Sequence, residues 1–256
     1  DEIFSGYYEH FLLHFNNIKK DKNKLKKDIA IWKKNIRPNI RNKYFKNENL
    51  YIRNSNFREH VYDGYKNNIL FLKNVKFKKF KEFKYSKNLY VNRRLNELNN
   101  ETTPVILNDE DKNAMMNSVE NRSPYLDSTL VNFIFSLNPN YNIQKGISKY
   151  ILRNSAKGLV HNDVLFDKKK KGFNASIDTL INLNDNYVKD LIFSKSKISD
   201  FINQKKLETI FKRSNKGNQL SKFIFNIINC KIFLDLNAWS LFTSINLAIP
   251  IKIKIL

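Results

Sequence analysis

The sequence is short of the residues that build the commonest recognisable frameworks. One cysteine, Cys230, stands among 256 residues. A disulfide framework and a cysteine-based structural zinc site are both excluded. Six glycines and five prolines exclude collagen-like repeats and proline-rich low complexity. No uninterrupted apolar run approaches the roughly 20 residues that span a bilayer. Acidic residues are scarce too: 24 Asp plus Glu face 46 Lys plus Arg, a formal net charge of +22. What the chain does have is 41% apolar and 13% aromatic residues. That is enough to bury a core in one or two domains, and it argues against disorder. The chain opens on Asp1-Glu2, with no initiator Met, basic n-region or apolar h-region. No signal peptide is expected, and the chain reads as the continuation of something longer.

The charge invites a nucleic-acid reading, because lysines interleave with aromatics over Lys76-Phe77-Lys78-Lys79-Phe80-Lys81. Against it, Lys, Asn and Ile are abundant along the whole chain rather than on one stripe. Zinc-finger spacing is absent, and so are the glycines of an RNP-type strand. A compositional bias with lysines on solvated faces is the preferred explanation.

The apolar pattern is mainly helical. Phe4, Tyr7, Tyr8, Phe11, Leu12 and Phe15 recur at three- and four-residue steps, the spacing of one helix face. A second amphipathic stretch covers about 21–36 and stops before Pro38. Residues 39–100 read as irregular helices and loops. Val105 to Val119 reads as a helix, broken at Asn121-Arg122-Ser123-Pro124, after which Asp127 is placed to cap the next one. Ile147 to Leu159 and about Gln219 to Phe242 read as further helices, and Ile249-Pro250-Ile251 as a short candidate strand. Candidate parallel strands are almost lacking, so a catalytic sheet of the open α/β kind would lie upstream of Asp1.

Four blocks, in order, resemble the synthetase domain of glutamine-dependent asparagine synthetases. Asp1-Glu2-Ile3-Phe4-Ser5-Gly6-Tyr7 is similar to D-E-x-F-G-G-Y. Ser118 to Asp127, SVENRSPYLD, is similar to S-x-E-x-R-x-P-F-L-D. Gly146 to Arg153, GISKYILR, is similar to G-x-x-K-x-x-L-R, and Lys168 to Phe173, KKKKGF, to R-x-K-x-G-F. Ser5 replaces the first glycine of a pair, Tyr125 replaces Phe and Lys168 replaces Arg. The S-G-G-x-D-S pyrophosphate loop and the glutaminase domain with its N-terminal cysteine are not in this sequence. The resemblance therefore implies a chain that is mainly α as covered. It would be the C-terminal helical part of an α/β adenine-nucleotide α-hydrolase-like synthetase domain, of the PP-loop ATP pyrophosphatase type, whose parallel sheet lies upstream. It divides into a helical region with a variable insertion (1–100), a motif-bearing core (101–177) and a helical C-terminal region (178–256).

The implied reaction uses ATP and Mg²⁺. Aspartate's side-chain carboxylate is adenylated, and glutamine-derived ammonia then displaces AMP, giving asparagine, AMP and pyrophosphate. Cations placed where charge develops are the physical requirement. Asp1 matches a position that helps hold Mg²⁺ on pyrophosphate, and a hard cation prefers carboxylate oxygen. Glu2 reads instead as a cap for the helix running through Phe15, since a carboxylate is favoured near a helix N-terminus. Lys170, two residues before Gly172-Phe173, matches the lysine that reaches the α-phosphate. Gly172 would let the loop backbone pass close to the nucleotide. Glu120 and Arg122 match residues lining the substrate and nucleotide site; a plain ion pair at the turn would also explain them. Cys230 reads as a small buried hydrophobe, and the His10/His14 pair lacks a third metal ligand.

The expected partners are aspartate, ammonia and ATP, with an N-terminal glutaminase domain in the full-length protein. A cytoplasmic setting is expected, without membrane or nucleic acid, and a homodimer is compatible with it. Without the pyrophosphate loop, this chain alone is expected to lack synthetase activity. Two alternatives stay open: an amidotransferase acting on another carboxylate, such as a surface-polysaccharide sugar acid, and a basic nucleic-acid-binding module.

Overall fold

The computed structural model describes residues 1–75, 80–168, 176–211 and 218–240. The Lys76–Lys79 part of the lysine–aromatic run, Lys170, Gly172 and the 249–251 tail all lie outside the described residues. In chain order the helices are α1 (Tyr8–Asn17), α2 (Lys22–Asn35), α3 (Leu50–Arg53), α4 (Glu59–Asn68), α5 (Leu89–Asn99), α6 (Thr102–Met116) and α7 (Ser128–Ser136). A two-stranded antiparallel hairpin follows, β1 (Ile143–Gln144) and β2 (Ile147–Ser148), with Ile143 opposite Ser148. Then come α8 (Tyr150–Ser155), α9 (Asn162–Leu165), α10 (Ile177–Leu180), α11 (Asn186–Phe193), α12 (Gln204–Phe211) and α13 (Asn218–Ser240). Among the described residues the hairpin is the only sheet, and no helix is long and apolar enough to cross a membrane.

The chain folds as two compact units. Unit 1 comprises 1–57 and 80–170; unit 2 comprises 58–79 and 171–256. In unit 1 the apolar face expected along Phe4 to Phe15 divides. Phe11, Leu12 and Phe15 join Trp32, Ile36, Tyr51 and Tyr90 in one core, whereas Phe4 joins Ile3 and Ile134 in another. The reason is that the helix starts only at Tyr8, so Phe4 sits on a preceding turn. From Glu9 to Phe15 every residue of α1 is buried, its polar ones included. His10 Nε2 lies 2.8 Å from Glu97 and His14 Nε2 lies 3.1 Å from Asp28. The two rings are thus committed to different carboxylates rather than to a shared metal. Arg93, fully buried, lies 3.1 Å from Glu82 and 3.7 Å from Glu9, and Glu9 also accepts from the Tyr51 hydroxyl.

Asparagine, abundant in the sequence, closes many of the short connections. Asn42, Asn54, Asn88 and Asn138 each accept from the backbone N–H two residues on, at 3.0–3.1 Å. These are Asx turns, in which the side chain substitutes for a backbone carbonyl. Asn88 thereby caps α5 and Asp127 caps α7 through the Leu130 N–H at 3.0 Å, each worth about 1 kcal/mol.

The helix read from Ile147 to Leu159 is corrected by the structure. Lys145 and Gly146 have φ of +53° and +69°, the signature of a two-residue hairpin turn that turns β2 back on β1. A Cβ at Gly146 would also meet Ile31 at 2.3 Å. Lys149 then takes φ +55°, so the helix begins only at Tyr150.

Unit 2 has an aliphatic core. Ile177, Leu183, Ile192, Ile202, Leu207, Ile210, Ile224, Ile227 and Ile228 pack with Phe71. Backbone bonds from Asn203 N to the Phe71 carbonyl (2.8 Å) and from Lys73 N to the Phe201 carbonyl (2.7 Å) tie the 58–75 segment to α12's entry. Cys230 is exposed, contrary to the buried position expected of it. The buried stripe of α13 runs through Ile224, Ile227, Ile228 and Lys231, and position 230 turns away from it.

Candidate functional site

Three of the four motif blocks meet in one corner of unit 1. Residues 1–6 make a tight turn closed by the Gly6 N–H donating to the Asp1 carbonyl at 2.9 Å. From the junction of β2 and α8, Lys149 reaches into this turn and places Nζ 2.5 Å from Asp1 Oδ1. The Asp1 and Lys149 side chains keep 22% and 34% of their surface exposed, so the pair is open to a ligand. Gly6 is what makes the approach feasible. A Cβ there would lie 2.0 Å from Asp1 Oδ1 and 2.5 Å from Lys149 Cε. The second block enters through Tyr125, whose ring meets Phe4 edge-on at 6.0 Å between centroids.

The electrostatics follow from this packing. Burial, reinforced by the charge of Arg153, holds the Lys149 ammonium below the usual lysine range, although Glu2 and Tyr125 act the other way. Tyr7 donates to Glu2 Oε1 at 2.5 Å. Burial first, and then this bond and the Glu2 charge, push the Tyr7 phenol well above its ordinary value.

Arg153, one turn into α8, serves the backbone instead. It donates to the carbonyls of Ser148 (2.9 Å), Leu165 and Asp167 (3.0 Å). It thereby ties the Lys149 junction to the segment that enters the lysine run at Lys168.

Left-handed backbone concentrates in the same blocks. Five non-glycine residues have positive φ among the described residues, and Ser5, Ser118 and Lys149 lie in blocks one, two and three. Ser118 ends α6 in the manner of a C′ residue, its N–H on the Met115 carbonyl at 3.0 Å. Such conformations persist where the surroundings over-determine them, commonly at functional sites.

The sequence-derived candidates fare differently. Asp1 sits in the corner. Glu120 and Arg122 pair with one another at 2.8 Å while 71% and 79% exposed. Asp127 is a helix cap. Lys170 and Gly172 lie outside the described residues. Lys149 belongs to the third block, and its role is one that sequence reasoning misses. The signal was its place in G-x-x-K, masked by reading one helix through a position that is a left-handed joint. Among the described residues no three His, Cys, Asp or Glu cluster as a metal site.

No curated protein and no solved structure matches the chain. The family model described as asparagine synthase matches residues 1–240, nearly the whole length and all four blocks. With motifs far apart in sequence converging on one turn, and that match spanning both units, the chain belongs to the asparagine synthase family, a family of ATP-dependent ligases.

Proposed function

We propose that the chain is the C-terminal half of a glutamine-dependent synthetase domain, working within a longer cytoplasmic protein that supplies the PP-loop and a glutaminase domain. Its substrates are aspartate, ATP and ammonia. The observation that carries this reading is the Asp1–Gly6–Lys149 corner, where an acid and an ammonium from separate blocks share a half-open site that only a glycine accommodates.

In the first step an aspartate carboxylate oxygen bonds to the α-phosphorus of ATP and the bond to the pyrophosphate oxygen breaks. In the second, ammonia bonds to the activated carbonyl carbon, AMP leaves with the bonding pair of its oxygen, and the nitrogen gives up a proton. Negative charge accumulates on phosphate oxygens first and on the tetrahedral carbon's oxygen second. Fixed cations lower both barriers because they require no reorganisation at the moment of reaction.

Asp1 fits a magnesium ligand of the pyrophosphate-bound kind. Mg²⁺ commonly takes one or two carboxylates and fills its remaining positions with phosphate oxygens and water. Asp1 is half-buried in a cradle that a Cβ at Gly6 would fill, and it already carries a cationic partner in Lys149. When bound, Mg²⁺ would offset the charge of the departing pyrophosphate. Lys149 sits where its ammonium can turn from Asp1 to phosphate oxygen, and its lowered proton affinity reflects burial first and the charge of Arg153 second.

We assign Lys170 to the α-phosphate, Gly172 to the close pass of the loop backbone, and Glu120 with Arg122 to the lining of the substrate and nucleotide site, all on the resemblance. The division into 1–100, 101–177 and 178–256 is retained as one by motif content rather than by packing.

Pyrophosphate release by the intact protein, at saturating ATP and aspartate, tests these assignments. Lys149→Ala and Lys170→Ala should each lose about 10²–10³ in rate. Lys169→Ala and Lys171→Ala should lose little, because a solvated neighbour meets no charge unique to the transition state. Equal, modest losses across the lysine run would remove Lys170 from the mechanism. Pyrophosphate release that needs a sugar acid in place of aspartate would keep the chemistry and change the acceptor.

A further inference from the structure

Helix α5 grips the Asp1 turn in a way that its sequence does not announce. Arg94 is 1% exposed. It donates from Nε to the Glu2 carbonyl at 2.9 Å and from Nη2 to the Ile3 carbonyl. The rings of Tyr90 and Phe135 lie 5.4 and 4.6 Å from its guanidinium carbon, so the group is flanked by aromatic faces. Burial lowers the proton affinity of this guanidinium. A cation so placed contributes little net stability over an apolar residue of similar size. Its two bonds, however, fix the orientation of two successive peptide planes.

One turn earlier on α5, the Tyr90 hydroxyl donates to Ser5 Oγ at 2.5 Å, and both residues are buried. Ser5 has φ +62° and stands where the family pattern has a glycine. A non-glycine residue is strained in this region. The Tyr90 bond gives back part of what the strain takes, and only a side chain with an oxygen at this point can receive it.

We propose that Tyr90 and Arg94 are positioning residues for Asp1: they hold the 1–6 turn so that the Asp1 carboxylate is presented beside Lys149, with Ser5 and Tyr90 acting as one coupled pair. The proposal rests on the reading of Asp1 as the magnesium–pyrophosphate residue. Glu2 and Ile3 are held by Arg94, Ser5 is held by Tyr90, and Gly6 closes back on the Asp1 carbonyl. The tolerance is small, since the space above Gly6 does not admit one carbon atom. A displacement of about 1 Å is enough to weaken what such a positioned carboxylate holds.

The intact protein would be prepared as Tyr90→Phe, Ser5→Gly, the double variant, Arg94→Lys and Asp1→Asn. Acylation of Lys149 by a water-soluble active ester, followed by mass spectrometry at fixed pH without nucleotide, reports directly on the Asp1 contact. The Mg²⁺ concentration giving half-maximal pyrophosphate release reports on its use. Tyr90→Phe should speed Lys149 acylation and raise the Mg²⁺ midpoint, each by about tenfold, as expected when neighbouring groups are coupled. The rate at saturating Mg²⁺ should change little. Adding Ser5→Gly should bring both readouts back towards those of the parent, because glycine removes the strain that Tyr90 was offsetting.

Lys149 acylation unchanged in Tyr90→Phe and Arg94→Lys, with only a lowered melting temperature, would overturn the proposal and leave the two residues as core filling. Strictly additive effects of Tyr90→Phe and Ser5→Gly would overturn the coupled pair. An unaltered Mg²⁺ midpoint in Asp1→Asn would instead defeat the reading of Asp1, and the acylation series would still decide the positioning. Tyr90→Phe removes a single oxygen, so the test survives if Arg94→Lys does not fold.

Discussion

In unit 1 the buried side chains include Glu9, His10, His14, Arg93, Arg94 and Glu97, packed with Trp32, Tyr51 and Tyr90, whereas unit 2 buries isoleucine and leucine almost throughout. The buried charge of unit 2 among the described residues is Lys231, which reaches the Ser194 carbonyl at 3.1 Å and Asp235 at 3.0 Å. Aliphatic contacts are non-directional, and a core built from them tolerates repacking. Hydrogen-bonded charges impose angles as well as distances. The unit with the directional core is also the one that carries Asp1, Tyr125, Lys149 and Arg153. Orientation, more than stability, is what its costly interior supplies.

The largest test of that contrast is Arg93→Ala. It leaves Glu9 and Glu82 without their shared cation, and breaking a buried pair from one side costs about 3–5 kcal/mol. Ile224→Val in unit 2 should cost only about 0.5–1.5 kcal/mol. Denaturant melts of both variants would show it, and equal losses would collapse the distinction.

Alkali gives a second measure. Burial raises the Tyr90 phenol to about 12, even though the Arg94 charge pulls it down. Its folded pKa thus lies above the ordinary value near 10. The neutral phenol's contribution is complete below about pH 10 and disappears as pH rises towards 12, with a slope of about 1.4 kcal/mol per pH unit for one proton. Stability measured between pH 9 and 12 should show that decline, and Tyr90→Phe should flatten it.

The smallest effects come from a pair of glycine replacements. Gly6→Ala forces a carbon into Asp1 and Lys149, so pyrophosphate release should suffer much more than the melting temperature. Gly64→Ala, inside α4 with nothing within 4 Å of the added carbon, should stabilise unit 2 by about 0.5–1 kcal/mol. Stabilisation by both substitutions would mean that the corner is looser than its distances state.

Much of this organisation was legible in the chain. The α2 pattern, the Asp127 cap, the start of α13 and the family blocks all rest on local spacing, and local spacing is what a sequence displays. The misses have physical causes. The 143–148 hairpin has two residues per strand, too few for a period of two to register. Its lysine–glycine turn resembles an ordinary helix start preceded by a loop. The helix spacing from Phe4 to Phe15 was real, but a left-handed Ser5 ends the turn before α1 and sends Phe4 to another core. Glu97 meets His10 across 87 residues of sequence, and no window of fixed length relates them. Arg94 was unreadable for the same reason: its partners are backbone carbonyls, which leave no residue-type signature.

Lys149 brings two demands into conflict at one position. Its φ of +55° suits glycine, and asparagine tolerates it, whereas its contact with Asp1 requires a long cationic side chain. A library of all amino acids at position 149 would therefore sort in two incompatible orders. Glycine would head the ranking by thermal stability, relieved of about 1–2 kcal/mol of backbone strain, and fall to the bottom by turnover. Selection for a sturdier protein would erase this lysine, and only selection for chemistry would restore it.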